Sequence, residues 1–121
     1  MSSVPYKFTT AATTNLQQVR SGQTANLKGY SAVNSAVYPI FIKLYWFPNT
    51  AIASAPTVGT TVPNMTICVN ANATLVQGQT EGWPDGVTGN GDLWVAVTKV
   101  AADSDTTVVA SGDGIITLLV E

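Results

Sequence analysis

The sequence predicts an all-β chain: a single β-sandwich, jelly-roll or immunoglobulin-like, with six to eight short strands and little or no helix. Three observations carry this. Apolar residues recur with a period of two in several short runs. Gly, Pro, Asn, Asp and Ser cluster between those runs. No stretch shows a sustained helical period with caps, and 121 residues suit one domain with its own core. Residues 1–15 read as an extended N-terminal arm and 16–121 as the sandwich domain.

The arm is small and polar, with Thr9-Thr10-Ala11-Ala12-Thr13-Thr14-Asn15 at its end and a short strand expected at residues 6–10. It is either a frayed terminus or a segment that lies on a neighbouring subunit. Residues 16–22 read as a loop into a strand at 24–34. Strict alternation there places Ala25, Leu27, Gly29, Ser31 and Val33 on one face and Asn26, Lys28, Tyr30 and Asn34 on the other. Asn34-Ser35 reads as a turn, so this strand is expected to pair antiparallel with the next.

That next strand organises the chain. Residues 37–47 hold five of the ten aromatic residues, with Tyr38, Ile40, Ile42, Leu44 and Trp46 on one face and Phe41, Lys43, Tyr45 and Phe47 on the other. Pro39, Pro48 and the β-branched and aromatic content favour a strand over a buried helix, with Pro39 at its start, where a missing N–H does least harm. The second face is too apolar to stand in water, so something is expected to cover it.

Residues 48–63 carry three prolines among small and polar residues and read as a long ordered loop or a crossing between sheets. A strand follows at 64–70, with Met65, Ile67 and Val69 inward and Cys68 expected as a buried small hydrophobe. Leu75-Val76 suggests a short further strand. Residues 78–92 form a second Gly- and Asp-rich loop around Trp83. Residues 93–100 resume as a strand with Leu93, Val95 and Val97 on one face and Trp94, Ala96 and Thr98 on the other. After a turn at 101–105, strands are expected at 106–110 and, as an interior strand, at 115–120.

The composition narrows function by exclusion. Only 10% of residues are charged, against about 25% in typical soluble domains. Depleted charge suits a protein that buries much of its surface in an assembly. A net charge of −2 with five scattered cations offers no basic stripe to nucleic acid. No apolar run is long enough to cross a membrane as a helix, and the first residues show no signal-peptide pattern. The single Cys68 has no partner for an internal disulfide.

Catalytic constellations are equally thin. The chain has no histidine, which removes the usual general base and the commonest metal ligand. Gly86, Gly89 and Gly91 miss the dinucleotide-binding spacing. Asp85, Asp92, Asp103, Asp105 and Asp113 all fall in expected turns, whose chemistry accounts for them, and none completes a calcium loop. Asn64-Met65-Thr66 and Asn72-Ala73-Thr74 match a glycosylation pattern that a Thr-rich chain meets by chance. The expectation is a non-enzymatic protein with no cofactor and no metal.

The ordered segments Leu27-Lys28-Gly29, Ala32-Val33-Asn34, Lys43-Leu44-Tyr45 and Ala55-Pro56-Thr57-Val58-Gly59-Thr60, then residues 93–98 and Ala102-Asp103-Ser104-Asp105-Thr106-Thr107, carry a resemblance. Over residues 20–120 the chain resembles small virion proteins encoded among the head genes of tailed bacteriophages. The resemblance implies a structural protein that decorates and cements the capsid exterior as a homotrimer bound to the major capsid protein, after synthesis in the host cytoplasm. A neck, tail or fibre component is the alternative, and a carbohydrate- or receptor-binding module a further one. In this reading Phe41, Tyr45, Phe47 and Trp94 are candidate subunit contacts, unless they close the second sheet of their own sandwich. Trp83 either folds back on the core edge, contacts a neighbour, or binds a ligand such as a sugar.

Overall fold

The computed structural model describes residues 4–21, 25–48, 55–78, 83 and 85–121. These form nine strands and no helix: β1 (Val4–Thr9), β2 (Gln17–Arg20), β3 (Asn26–Asn34), β4 (Ile40–Phe47), β5 (Met65–Val69), β6 (Ala73–Gln77), β7 (Val87–Thr88), β8 (Asp92–Thr98) and β9 (Gly114–Val120). One sheet runs β1-β9-β3-β6, with β7 also on β3; the other runs β2-β8-β4-β5. Every pairing is antiparallel. The fold is an all-β sandwich, as the alternation predicts.

The core lies between the sheets. One inner face supplies Leu27, Tyr30, Ala32, Ile116, Leu118 and Val120, and the other Ile40, Ile42, Leu44, Trp46, Ile67, Val69, Leu93, Val95 and Val97, all buried. Each buried Val, Leu or Ile side chain contributes about 1.5–3 kcal/mol of burial free energy. Trp46 is held at the bottom of this layer: its indole Nε1 donates to the Ala25 carbonyl at 2.8 Å. Gly89 lies on the same ring so closely that a Cβ there would stand 2.1 Å from Trp46 Cγ.

Four expectations are corrected. First, β3 and β4 do not pair; they belong to opposite sheets. The connection at 35–39 is therefore a crossing, and Asn34 fastens it. Its buried Nδ2 donates to the carbonyls of Tyr38 (2.8 Å), Val69 (3.2 Å) and Asn70 (3.1 Å), and its Oδ1 accepts from the Ala36 amide (3.0 Å).

Second, the alternation of β3 changes phase. A bulge between Leu27 and Gly29 turns Tyr30, Ala32 and Asn34 inward and leaves Val33 exposed, against the strict alternation expected.

Third, residues 4–9 do not reach away as an arm. They pair along their whole length with β9 as an edge strand of the sandwich. Residues 17–20, expected in a loop, are β2 on the edge of β8. Asn15 closes the link between the two: its Oδ1 accepts from the Ala11 amide at 2.8 Å, its Nδ2 donates to the carbonyls of Ala11 (3.1 Å) and Thr13 (2.9 Å), and its backbone adopts a φ of 58°.

Fourth, residues 106–110 form no strand; a single bridge links Val108 to Thr98. Two single residues also differ. Cys68 is exposed on the edge strand β5. Asp92, expected in a turn, is buried in β8, where it accepts from Gln18 Nε2 at 2.9 Å. Residues 1–3, 22–24, 49–54, 79–82 and 84, with the parts of the arm and the two long loops that they contain, lie outside the described residues.

Candidate functional site

The outer face of the β2-β8-β4-β5 sheet gathers the residues singled out from the sequence. Antiparallel register sets Phe41 between Cys68 and Thr98, Lys43 between Thr66 and Ala96, Tyr45 beside Trp94, and Phe47 beside Asp92. Tyr45, with Lys43, is sealed by the chain itself: their exposures are 1% and 0%. Tyr45 thus has no surface to offer a second subunit. Phe41, Phe47 and Trp94 are half-buried.

The cover is the segment that follows β8. Lys43 Nζ reaches into it and donates to the carbonyls of Ala102 (2.7 Å) and Asp105 (3.3 Å). Burial pushes the lysine pKa down, and the charges of Asp105 and Asp103 oppose that. Asp105 organises the segment in turn. Its Oδ2 accepts from the Thr107 hydroxyl (2.5 Å), the Thr107 amide (3.2 Å) and the Val100 amide (3.2 Å). Partial burial raises the Asp105 pKa, but these donors and Lys43 outweigh it and hold the carboxyl below its ordinary value. Burial raises the Tyr45 pKa, and Asp103 adds to it. Tyr45 Oη and Trp94 Nε1 are buried without a hydrogen-bond partner.

Trp83 folds back on the sandwich. Its ring meets Tyr30 edge-on with centroids 5.5 Å apart, and it packs on the core. Its amide donates to the Gly78 carbonyl at 2.9 Å, and its carbonyl accepts from the Gly86 amide at 3.3 Å. This places the indole against the protein, the first of the three alternatives left by the sequence.

At the other end of the sandwich, Tyr38 Oη donates to Asp113 Oδ2 (2.5 Å) and accepts from the Ala110 amide (3.2 Å), while Lys99 Nζ lies 4.4 Å from the Tyr38 ring centroid. The hydrogen bond to Asp113 is the main cause of a raised Tyr38 pKa. These contacts tie the sheet crossing to the turn before β9.

Among the described residues no pocket opens and no group of His, Cys, Asp or Glu side chains converges as a metal site. The open feature is instead a surface that sequence reasoning missed. The outer face of the β1-β9-β3-β6 sheet exposes Val33, Val76, Ile115 and Leu119 beside Thr9, Thr74 and Lys7. The bulge in β3 turns Val33 outward; strict alternation had hidden it.

Among the described residues, the fold and these surfaces define an antiparallel β-sandwich in which the segment after β8 lies over the outer face of one sheet and the outer face of the other exposes apolar side chains. No protein-family model, curated protein or solved structure matches the chain.

Proposed function

We propose that the chain is a structural protein of a bacteriophage virion. It decorates the outside of the capsid and stabilises it by binding the major capsid protein and further copies of itself, without enzymatic activity. The single observation that carries this reading is a sandwich with 10% charged residues and a sheet face left open to solvent with four apolar side chains on it. A chain that worked alone would gain solubility from charge at such positions. A chain that lies against protein gains contact area and hydroxyl hydrogen bonds there with little charge to desolvate. The resemblance of residues 20–120 to phage head-gene products supplies the kind of assembly, and with it a trimer at the shell contacts.

Quantitative mass spectrometry of purified particles tests the proposal. A copy number comparable to that of the major capsid protein is the expected result. A handful of copies per particle would overturn capsid decoration and place the chain at the neck, tail or fibre.

A further inference from the structure

The chain holds a single Asn-Gly pair, Asn90-Gly91, in the short link between β7 and β8. The side chains of Asn15, Asn26, Asn34, Asn64 and Asn70 are each held by a hydrogen bond. Asn90 is exposed at a bend, and among the described residues its side chain makes no hydrogen bond. The fold itself demands the glycine that follows. Gly91 adopts a φ of 112°, and a Cβ there would stand 2.6 Å from the Pro48 nitrogen and 2.7 Å from the Phe47 carbonyl carbon.

We infer that Asn90 is a site of slow covalent modification, with water as the co-reactant, and that its product loosens the core at Trp46. The Gly91 amide nitrogen loses its proton and bonds to Asn90 Cγ; the Cγ–Nδ2 bond breaks and ammonia leaves. Nitrogen and target carbon belong to adjacent residues, so the ring closes by rotation within the chain and needs no encounter. Glycine has no Cβ to crowd that nitrogen. Water then opens the cyclic imide at either of its two carbonyls. One opening leaves an aspartate at position 90, the other an isoaspartate. The sum is amide plus water to carboxylate plus ammonium, with no change of oxidation state.

The isoaspartate carries the structural consequence. Its main chain runs through the former side chain, which adds a methylene to the backbone between Gly89 and Gly91. Both neighbours stand at close approaches. Gly89 lies on the Trp46 ring, where a Cβ would be 2.1 Å from Cγ, and Gly91 lies against the backbone of Phe47 and Pro48. A longer link cannot keep both contacts, because a close-packed interior has no slack for an extra methylene. Trp46 is buried and tied to the Ala25 carbonyl, so lifting Gly89 away uncovers that end of the core. The aspartate product keeps the backbone length and adds only a charge at an exposed position.

This inference stands apart from the virion reading. The experiment is incubation of the folded full chain at mildly alkaline pH, beside a sample unfolded in urea, followed by peptide mapping. A protease that cuts before aspartate separates the products: it cleaves ahead of an aspartate at position 90 and passes over an isoaspartate. Asn90→Ser, which has no amide to lose, is incubated alongside, and freshly purified Asn90→Asp supplies the charge without the methylene. The expected result is loss of the amide at position 90 in the folded chain, faster as pH rises, while Asn70 and Asn72, each followed by Ala, keep theirs. Isoaspartate is among the products. Hydrogen exchange at residues 45–47 then rises in the incubated wild type and stays at its starting level in both variants. A folded chain that keeps the amide while the unfolded one loses it would overturn the site. Conversion to isoaspartate that leaves exchange at 45–47 unchanged would overturn its effect on the core.

Discussion

Lys43 Nζ donates to the Ala102 carbonyl across 2.7 Å, joining the middle of β4 to the segment that follows β8. The contact explains how a strand can carry a lysine and a tyrosine on its outer face and still bury both. The aliphatic stem crosses the apolar layer, and the ammonium finds carbonyl acceptors at the rim.

Lys43→Met keeps the stem and removes the charge, so its effect on stability is expected within about 1 kcal/mol, because lost hydrogen bonds and relieved desolvation oppose each other. Hydrogen exchange across residues 99–107 should accelerate. The pH dependence has a definite sign. Between its depressed folded value and the ordinary lysine value of 10.5, the folded state binds fewer protons than the unfolded one. Lys43 therefore makes stability rise with pH through that window. Tyr30, Tyr38 and Tyr45, all with raised pKa values, act oppositely above pH 10.0 in both proteins. Urea denaturation at several alkaline pH values should show the wild type gaining on the variant; equal slopes would contradict the assignment.

Asn34→Ala removes the donor shared by three carbonyls at the sheet crossing. It should cost about 1–3 kcal/mol in chemical denaturation, since the buried contact to the Val69 carbonyl and the part-buried ones to Tyr38 and Asn70 are lost. Asn34→Asp should be no better, because a carboxylate cannot donate. A loss of stability within the range of a surface substitution would show that the crossing is held by other contacts.

Tyr45→Asp places a carboxylate at a site 1% exposed in the single chain. It should destabilise by more than about 4 kcal/mol, visible as lost cooperativity in a thermal melt, and so reports on folding rather than assembly. Phe41→Asp, at a half-buried position, should remain folded. A stable Tyr45→Asp protein would mean that the loop after β8 opens readily.

Cys68 should react with a thiol reagent in the native state, one equivalent per chain, without denaturant. Its exposed place on an edge strand gives the reagent access. Cys68→Ser should change stability by less than about 0.5 kcal/mol. Protection until the unfolding midpoint would place the thiol inside.

The sequence by itself determined the class of fold and most of the core. Ile40, Ile42, Leu44 and Trp46, Ile67 and Val69, and Leu93, Val95 and Val97 are buried where a period of two places them, because a half-buried strand sorts its side chains that way whatever its partners. Turn residues marked the end of nearly every strand. β2 escaped notice because Gln17-Gln18-Val19-Arg20 has no apolar period; it is a strand because the edge of β8 offers it unpaired hydrogen-bonding groups. Only the tertiary structure decided which strands share a sheet. Alternation fixes faces within one strand and is silent about hydrogen-bond partners, so a crossing at Asn34 and a turn there look alike. The bulge after Leu27 had the largest consequence. One extra residue inverted the rest of β3, turned Tyr30 inward onto Trp83 and put Val33 on the open face beside Ile115. A bulge is selected by pairing with β9, about ninety residues along the chain, and nothing local in Leu27-Lys28-Gly29 records that partner.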